Sequence, residues 1–142
     1  MGRATLGVIT VLYLLAVAFI VFWPSHVDAG ASGQTLTRIL AAGHRDGWLP
    51  AWFGYAQVEW LSNIAMFIPG GLLFTLLLRP VHLWLIPAGG LVATCAIEAT
   101  QHFMPERTSS LADVLANFLG CVIGWVFALA LLKTALKPKN SR

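Results

Sequence analysis

Long apolar runs alternate with shorter polar segments along the chain. Four of these runs are each about 20 residues long, at 5–23, 59–78, 83–104 and 111–132. An α-helix of that length matches the roughly 30 Å hydrocarbon thickness of a bilayer, because each residue adds about 1.5 Å. The pattern predicts an all-α polytopic membrane protein with about four transmembrane helices in a single domain, 1–142.

The composition agrees with a membrane protein and excludes other classes. The 142 residues are 58% hydrophobic and 11% charged, with a mean hydropathy of +0.76. That is too apolar for a soluble globular protein of this size. The formal net charge is +3, but the basic residues stand at the ends of apolar runs and form no single patch. We therefore expect no nucleic-acid partner.

Cysteine and motif content exclude several kinds of site. Cys95 and Cys121 both fall in the middle of apolar runs, without the spacing of a zinc site. The sequence contains no internal repeat, no glycine-rich phosphate loop, no Gly-x-Ser-x-Gly nucleophile and no HExxH pair. We expect neither a metal nor a cofactor.

The distribution of basic residues predicts the orientation in the membrane. With four spans, one side holds both termini and carries six basic residues: Arg3, Arg79, Lys133, Lys137, Lys139 and Arg142. The other side carries three: Arg38, Arg45 and Arg107. Because loops rich in Lys and Arg stay in the cytoplasm, both termini should be cytoplasmic in a multi-pass protein of the plasma membrane. The 24–58 loop, between the first and second helices, and the 105–110 turn should then face outward.

The first apolar run has a second interpretation. Arg3, the apolar stretch and the small residues up to Ala29 resemble a signal peptide with a cleavage site. The stretch is about 19 residues long, whereas a signal peptide usually has about 7–15 apolar residues. We favour a retained helix. Cleavage stays the alternative, and it would leave the later helices in the same orientation.

The outer loop contains two distinct features. In the 34–42 segment, Leu36, Ile39 and Leu40 recur at helical spacing, which predicts a short amphipathic helix on the outer leaflet. An aromatic cluster follows, for which anchoring in the headgroup region is the favoured interpretation and stacking on a substrate the alternative. The cluster comprises Trp48, Trp52, Phe53, Tyr55 and Trp60.

The second apolar run is interrupted by Asn63 and by the sequence Pro69-Gly70-Gly71. Proline lacks a backbone N–H and clashes with the preceding turn, so we expect a kink at Pro69. The glycines should let a neighbouring helix approach closely. Asn63 needs a hydrogen-bond partner if it lies inside a membrane.

Polar side chains concentrate between residues 97 and 120, which hold three of the six acidic residues. A short turn joins the third and fourth runs there, so they should form an antiparallel hairpin. At about 1.5 Å per residue, Glu98 and Asn117 lie at similar depths, roughly 10 Å from the turn. Gln101 and Asp113 share faces with them at helical spacing, which allows one polar seam. The predicted polar seam comprises Asn63, Glu98, Gln101, Asp113 and Asn117.

Several of these residues also have structural interpretations. Ser110 and Asp113 fit a capping box, in which Asp113 would only cap a helix. Asn117 could likewise have a structural role only, by joining two helices. His102 lies one turn from Glu98, and such a pair is more often a packing contact than a metal site. Glu98 has no such explanation, because a carboxylate in a span costs about 2.5–3.5 kcal/mol and usually has a partner and a role.

The fourth run has a distinctive start and a small-residue face. Arg107 and three hydroxyl residues, 108–110, precede it. A guanidinium beside free N–H groups at a helix N-terminus makes an anion site, and lipid phosphates or pyrophosphates are the natural anions at an outer surface. The alternative is that Arg107 simply reaches to headgroups. Gly120 and Gly124 form a Gly-x-x-x-Gly pair suited to close helix packing.

In three segments the chain resembles the VanZ-like family of small polytopic bacterial membrane proteins: "NIAMFIPGG" at 63–71, "IEATQHFMPER" at 97–107 and "DVLANFLGCVIG" at 113–124. The resemblance covers about 60–132. The family pattern combines an Asn with a Phe-x-Pro-Gly step, an Ile-Glu-x-x-Gln step, a Pro-x-Arg turn, and Asp-x-x-x-Asn followed by Gly-x-x-x-Gly. The matching positions are Asn63, Pro69, Gly70, Glu98, Gln101, Arg107, Asp113, Asn117, Gly120 and Gly124.

The resemblance implies a role in the bacterial cell envelope, since the family is named after a protein associated with teicoplanin resistance. The first hypothesis is an outer-leaflet pocket that binds a lipid-linked cell-wall precursor, another phosphate-bearing lipid or a glycopeptide, and lowers antibiotic susceptibility. The second is an intramembrane enzyme acting on a phospholipid or polyprenyl-phosphate, with Glu98 or Asp113 as acid or base and Arg107 holding the phosphate. The third is an architectural subunit whose polar seam docks a partner. Membrane lipids are expected partners in each case, and protein partners are left open.

Overall fold

The computed structural model describes residues 2–23, 31–78, 82–104 and 110–135. It contains five helices: α1 Arg3–Val21, α2 Ala31–Arg45, α3 Tyr55–Leu77, α4 Leu85–Gln101 and α5 Leu111–Ala135. Within those four ranges there is no β-strand. The predicted all-α class is confirmed.

Three helices, α1, α3 and α5, are long and apolar enough to cross a membrane. The run at 83–104 forms a shorter helix, because α4 covers only 17 residues. Its C-terminal end breaks up into turns at His102, Phe103 and Met104, whose N–H groups donate to carbonyls three or four residues earlier. The fourth span therefore stays a prediction.

The long helices alternate in direction. Arg3, at the start of α1, donates from Nη2 to the carbonyl of Leu77 at the end of α3, 3.0 Å away. Gln101, at the end of α4, donates from Nε2 to the carbonyl of Val21 at the end of α1, 2.9 Å away. Residues near the starts of α3 and α5 also meet, as described below. We call the end of the bundle where α1 and α4 finish and α3 and α5 begin the polar end.

Helices α3 and α5 form the most extensive contact in the bundle. Gly120 and Gly124 of α5 lie against the backbone carbonyls of Ile64 and Ile68, so closely that a Cβ atom at either glycine would collide with them. Gly71 of α3 meets the Cys121 carbonyl in the same way. We call this contact, formed by Gly71, Gly120 and Gly124, the glycine contact. It holds the two backbones together where no side chain intervenes.

Helix α1 is packed into the bundle. Val17, Val21 and Phe67 form its buried apolar cluster. Tyr13 donates from Oη to the carbonyl of Met66 over 2.9 Å, and a Cβ atom at Gly70 would lie only 2.7 Å from that hydroxyl oxygen. The choice between a retained helix and a cleaved signal peptide stays a prediction. The suggested cleavage position at Ala29 lies outside the described residues.

The α3 helix continues without interruption from Tyr55 to Leu77 and passes through Pro69, which is exposed on its surface. The kink expected at this proline stays a prediction. In the loop before α3, a helix does form, and α2 is longer than the 34–42 segment that the periodicity indicated. Its placement on a membrane surface stays a prediction.

Candidate functional site

Glu98 is the buried carboxylate of the polar end. It lies in the last turn of α4 and is only 7% exposed. Its Oε2 accepts a hydrogen bond from the backbone N–H of Ser110, immediately before α5, at 3.0 Å. The bond joins the two helices on either side of residues 105–109. It also gives a negative side chain to the positive end of the α5 dipole, which is a favourable arrangement.

Ser110 caps the start of α5. Its Oγ accepts hydrogen bonds from the N–H groups of Ala112, at 3.0 Å, and Asp113, at 3.4 Å. In a capping box, the side chain at Asp113 would return to the Ser110 N–H. Glu98 already accepts that N–H, so the carboxylate of Asp113 has a different partner. The predicted cap is present at Ser110. The Asp113 carboxylate does not complete the capping box, because it bonds to another helix.

Asp113 and Asn63 join α5 to α3. Asn63 Nδ2 donates to Asp113 Oδ1 over 2.8 Å, and the pair is partly buried. Asn63 lies about two turns into α3 and Asp113 lies in the first turn of α5, and the bond between them shows that these two positions are level in the bundle. Hydrogen bonds to a charged group are stronger than neutral ones, which fixes this crossing point.

Asn117 reaches α4 one turn deeper. It is 3% exposed, and its Nδ2 donates to Thr94 Oγ1 over 3.2 Å. Asn117 Oδ1 is buried and has no hydrogen-bond partner within the described part of the chain. The amide therefore acts as a helix connector, as its structural interpretation suggests, with one acceptor left over.

Gln101 connects α4 to α1 through the Val21 carbonyl described above, and it is buried. The last carbonyls of a helix have no partner inside the helix, so this amide donates to one of the unpaired carbonyls at the end of α1. The polar residues are thus distributed over three helix pairs. The structure brings Glu98, Asp113 and Asn63 together around Ser110, while Gln101 and Asn117 bond on separate faces.

The predicted anion site is only partly described. Arg107 and residues 108–109 lie outside the described ranges. At the start of α5, the N–H groups of Ser110, Ala112 and Asp113 already donate within the protein. Those three N–H groups are therefore engaged, and the role of Arg107 stays a prediction.

A groove of about 430 Å³ opens between the end of α4 and the start of α5. Its lining is mostly apolar, and its polar members are Glu98, His102 and Ser110. The other lining residues are Ala99, Phe103, Leu111 and Val114. Phe103 is almost fully exposed, and its ring meets the His102 ring edge-on with centroids 5.6 Å apart.

The described residues contain no group of three His, Cys, Asp or Glu side chains that could hold a metal ion. Cys95 is exposed on α4. Cys121 is buried, with its Sγ 3.8 Å from the carbonyl of Ile86. The groove wall offers hydrogen bonds, apolar contact, a carboxyl group and an imidazole group.

Sequence reasoning missed the partner of Asn117 and the apolar lining of the groove. Thr94 lies one helical turn before Glu98, so its position on the same face was available as a signal. No sequence signal marked Ala99, Leu111 and Val114, because an apolar residue in an apolar run looks the same whether it faces lipid or a groove.

A family model described as VanZ/LLP1 matches residues 10–133. The matched range includes every polar residue that joins helices at the polar end and all residues of the glycine contact. No curated protein and no solved structure matches the chain.

Proposed function

Because this chain belongs to the VanZ/LLP1 family, we propose that the groove of this VanZ-type membrane protein binds a lipid-linked or phosphate-bearing ligand at the outer leaflet of a bacterial plasma membrane. Binding there lowers susceptibility to glycopeptide antibiotics such as teicoplanin. The observation that carries the proposal is the buried Glu98 carboxylate in the wall of an otherwise apolar groove.

The membrane arrangement we propose has four spans with both termini in the cytoplasm. Helix α4 lies antiparallel to α5, since Glu98 meets Ser110 at one end and Gly90 meets Cys121 further along. Seventeen residues give α4 a length of about 25 Å, close to the roughly 30 Å hydrocarbon thickness. A short helix can be accommodated by local thinning of the bilayer. The positive-inside rule then puts the polar end outside.

The groove fits an amphiphile held in the membrane. Ala99, Phe103, Leu111 and Val114 offer apolar surface to an acyl or isoprenoid chain, whose burial contributes roughly 25 cal/mol per Å². Polar groups occur at the same place, so a headgroup can be oriented as well as retained. The outer leaflet supplies such molecules at high local concentration.

The phosphate preference rests on Arg107. Phe103 and Ser110 both line the groove, and Arg107 lies in the chain between them, three residues before Ser110. A guanidinium forms paired hydrogen bonds with phosphate oxygens. Arg107→Lys should therefore weaken retention of the ligand less than Arg107→Ala does.

The susceptibility test uses two matched alanines of α4. Ala99 lines the groove, whereas Ala96, also exposed and one turn away, does not. In a strain lacking the gene, less teicoplanin should stop growth. The wild-type protein and Ala96→Trp should each raise the inhibitory concentration back to the value of the strain that has the gene. Ala99→Trp, which fills the groove, should not. Equal protection by both variants, at equal membrane levels, would refute a groove-based mechanism.

One observation favours an enzyme as the second candidate. Glu98 and His102 are one turn apart, and both line the groove, so an acid–base pair could face a lipid-linked phosphate. Purified protein would be incubated with labelled phospholipid or polyprenyl-phosphate, with and without divalent metals. Turnover that is lost in His102→Gln would support this candidate, and absence of turnover under every condition would reject it.

A further inference from the structure

The segment between α1 and α3 has a built structure of its own. Helix α2 ends in a Schellman turn: Gly47 adopts φ 76°, its N–H donates to the His44 carbonyl over 3.3 Å, and the Trp48 N–H donates to the Gly43 carbonyl over 3.1 Å. Only glycine adopts that φ without cost, which explains the residue at position 47. The chain is therefore reversed at a defined point.

The aromatic loop after this turn is attached back to α2. The His44 ring donates from Nε2 to the Phe53 carbonyl over 2.9 Å. Gly43 is so close to Leu49 and Trp48 that a Cβ atom there would lie 2.5 Å from Leu49 Cδ1. The helix and the loop thus form one compact unit, which we call the anchor unit, Ala31–Gly54.

The anchor unit carries large apolar side chains that are exposed. Leu40 is buried, whereas Ile39, Trp48 and Trp52 are 50%, 60% and 71% exposed. Exposed Arg38 and Arg45 accompany them, and Arg45 pairs with Asp46 over 2.9 Å. Large exposed aromatic side chains next to basic groups are typical of protein surfaces at the headgroup boundary of a bilayer.

Connectivity decides which partner this surface meets. α1 and α3, both long and apolar enough to span a membrane, flank the anchor unit in the chain. Nine residues separate Val21 of α1 from Ala31 of α2, and Gly54 directly precedes Tyr55 of α3. The unit is thereby held at a membrane surface, and a bilayer is always present there.

We propose that the anchor unit docks as one rigid body on the phospholipid headgroups of the outer leaflet, with Ile39, Trp48 and Trp52 inserted, and so sets the depth of α3. The connection to α3 is direct, because Gln57 Oε1 accepts a hydrogen bond from the Gly54 N–H over 2.8 Å at the helix start. Asn63 lies eight residues after Tyr55, the first residue of α3, which is about 12 Å along the helix. The anchor unit therefore fixes how deep the Asn63–Asp113 pair lies below the headgroups.

Spin labels on the full-length protein test this docking in vesicles of phosphatidylethanolamine and phosphatidylglycerol. The background is Cys95→Ser, since Cys95 is exposed and Cys121 is buried. Ile39→Cys probes the docking side, and Thr37→Cys, also exposed and about 200° around the helix, is the control. Accessibility to lipid-soluble oxygen is compared with accessibility to a water-soluble nickel chelate.

At Ile39 we expect oxygen accessibility to exceed nickel accessibility several-fold, with the reverse at Thr37. Replacing Trp48 and Trp52 by Ser should abolish the difference, whereas Trp84→Ser, an equally exposed tryptophan at the start of α4, should leave it unchanged. Two further outcomes would overturn the proposal. Water-like accessibility at both positions would mean that the unit does not dock, and a label at Ile39 shielded from both reagents would indicate a protein partner. Trp52→Cys gives an independent reading if Ile39→Cys fails to fold.

Discussion

The polar end and the glycine contact both hold α5 in the bundle, but by opposite means. At the polar end, side chains reach across: Glu98 to Ser110, and Asn63 to Asp113. At the glycine contact, side chains are absent, and the backbones of α3 and α5 touch at Gly120 and Gly124. The first arrangement leaves room for a groove, and the second leaves none. From this difference we expect ligand binding at the polar end and rigidity along the α3–α5 surface.

The two regions should also differ in energetic weight. A hydrogen bond between membrane helices contributes on average about 0.6 kcal/mol, because the separated helices find other partners. Forcing extra atoms into a close-packed contact typically costs about 1–3 kcal/mol. Substitutions at the glycine contact should therefore lower stability more than the loss of one hydrogen bond at the polar end does.

The largest effect is expected at the glycine contact. Gly124→Ala should destabilise the protein by about 3 kcal/mol or more, because the new methyl group meets the Ile68 carbonyl and the helices must separate. Gly89→Ala is the control, since nothing lies within 4 Å of a Cβ atom there. It should be neutral or stabilise by up to about 1 kcal/mol through helix propensity. Unfolding by sodium dodecyl sulfate in mixed micelles measures both. A neutral Gly124→Ala would refute the glycine contact.

The next effect is expected at the α3–α5 crossing. Asp113→Ala leaves Asn63 Nδ2 without its acceptor and should cost about 1–3 kcal/mol. Asp113→Asn retains an oxygen for the same bond and should cost clearly less. A double-mutant cycle with Asn63→Ala isolates the pair. A coupling energy near zero would mean that the Asp113 side chain does not join α5 to α3.

These two sites also show how far the sequence predicted the molecule. Helix type followed from apolar run length, and the close packing at Gly124 followed from spacing, because both depend on local pattern. The partner of Asp113 did not follow from the sequence, since a capping box with Ser110 and a bond to Asn63 both use the Asp113 side chain. The sequence also did not predict that α4 ends at Gln101. The last polar residues of α4 bond to α1 and to the start of α5, and the sequence does not show these contacts.

The smallest effect is expected deeper on the α4–α5 face. Thr94→Val has nearly the same shape and removes only the acceptor for Asn117, over a long 3.2 Å bond. It should cost about 0.6 kcal/mol. Thr100→Val, at an exposed hydroxyl that bonds within its own helix, is the matched control and should cost less. A loss above about 2 kcal/mol would show that the Asn117 amide matters as much as the glycine contact.

The central claim is that the polar end holds a groove for a membrane amphiphile. Native mass spectrometry of protein purified in mild detergent tests it directly, with the wild type compared to Ala99→Trp and Ala96→Trp. We predict a phosphate-bearing lipid on the wild type and on Ala96→Trp, and its loss from Ala99→Trp. Equal lipid retention by all three folded proteins, or none on the wild type, would contradict the account.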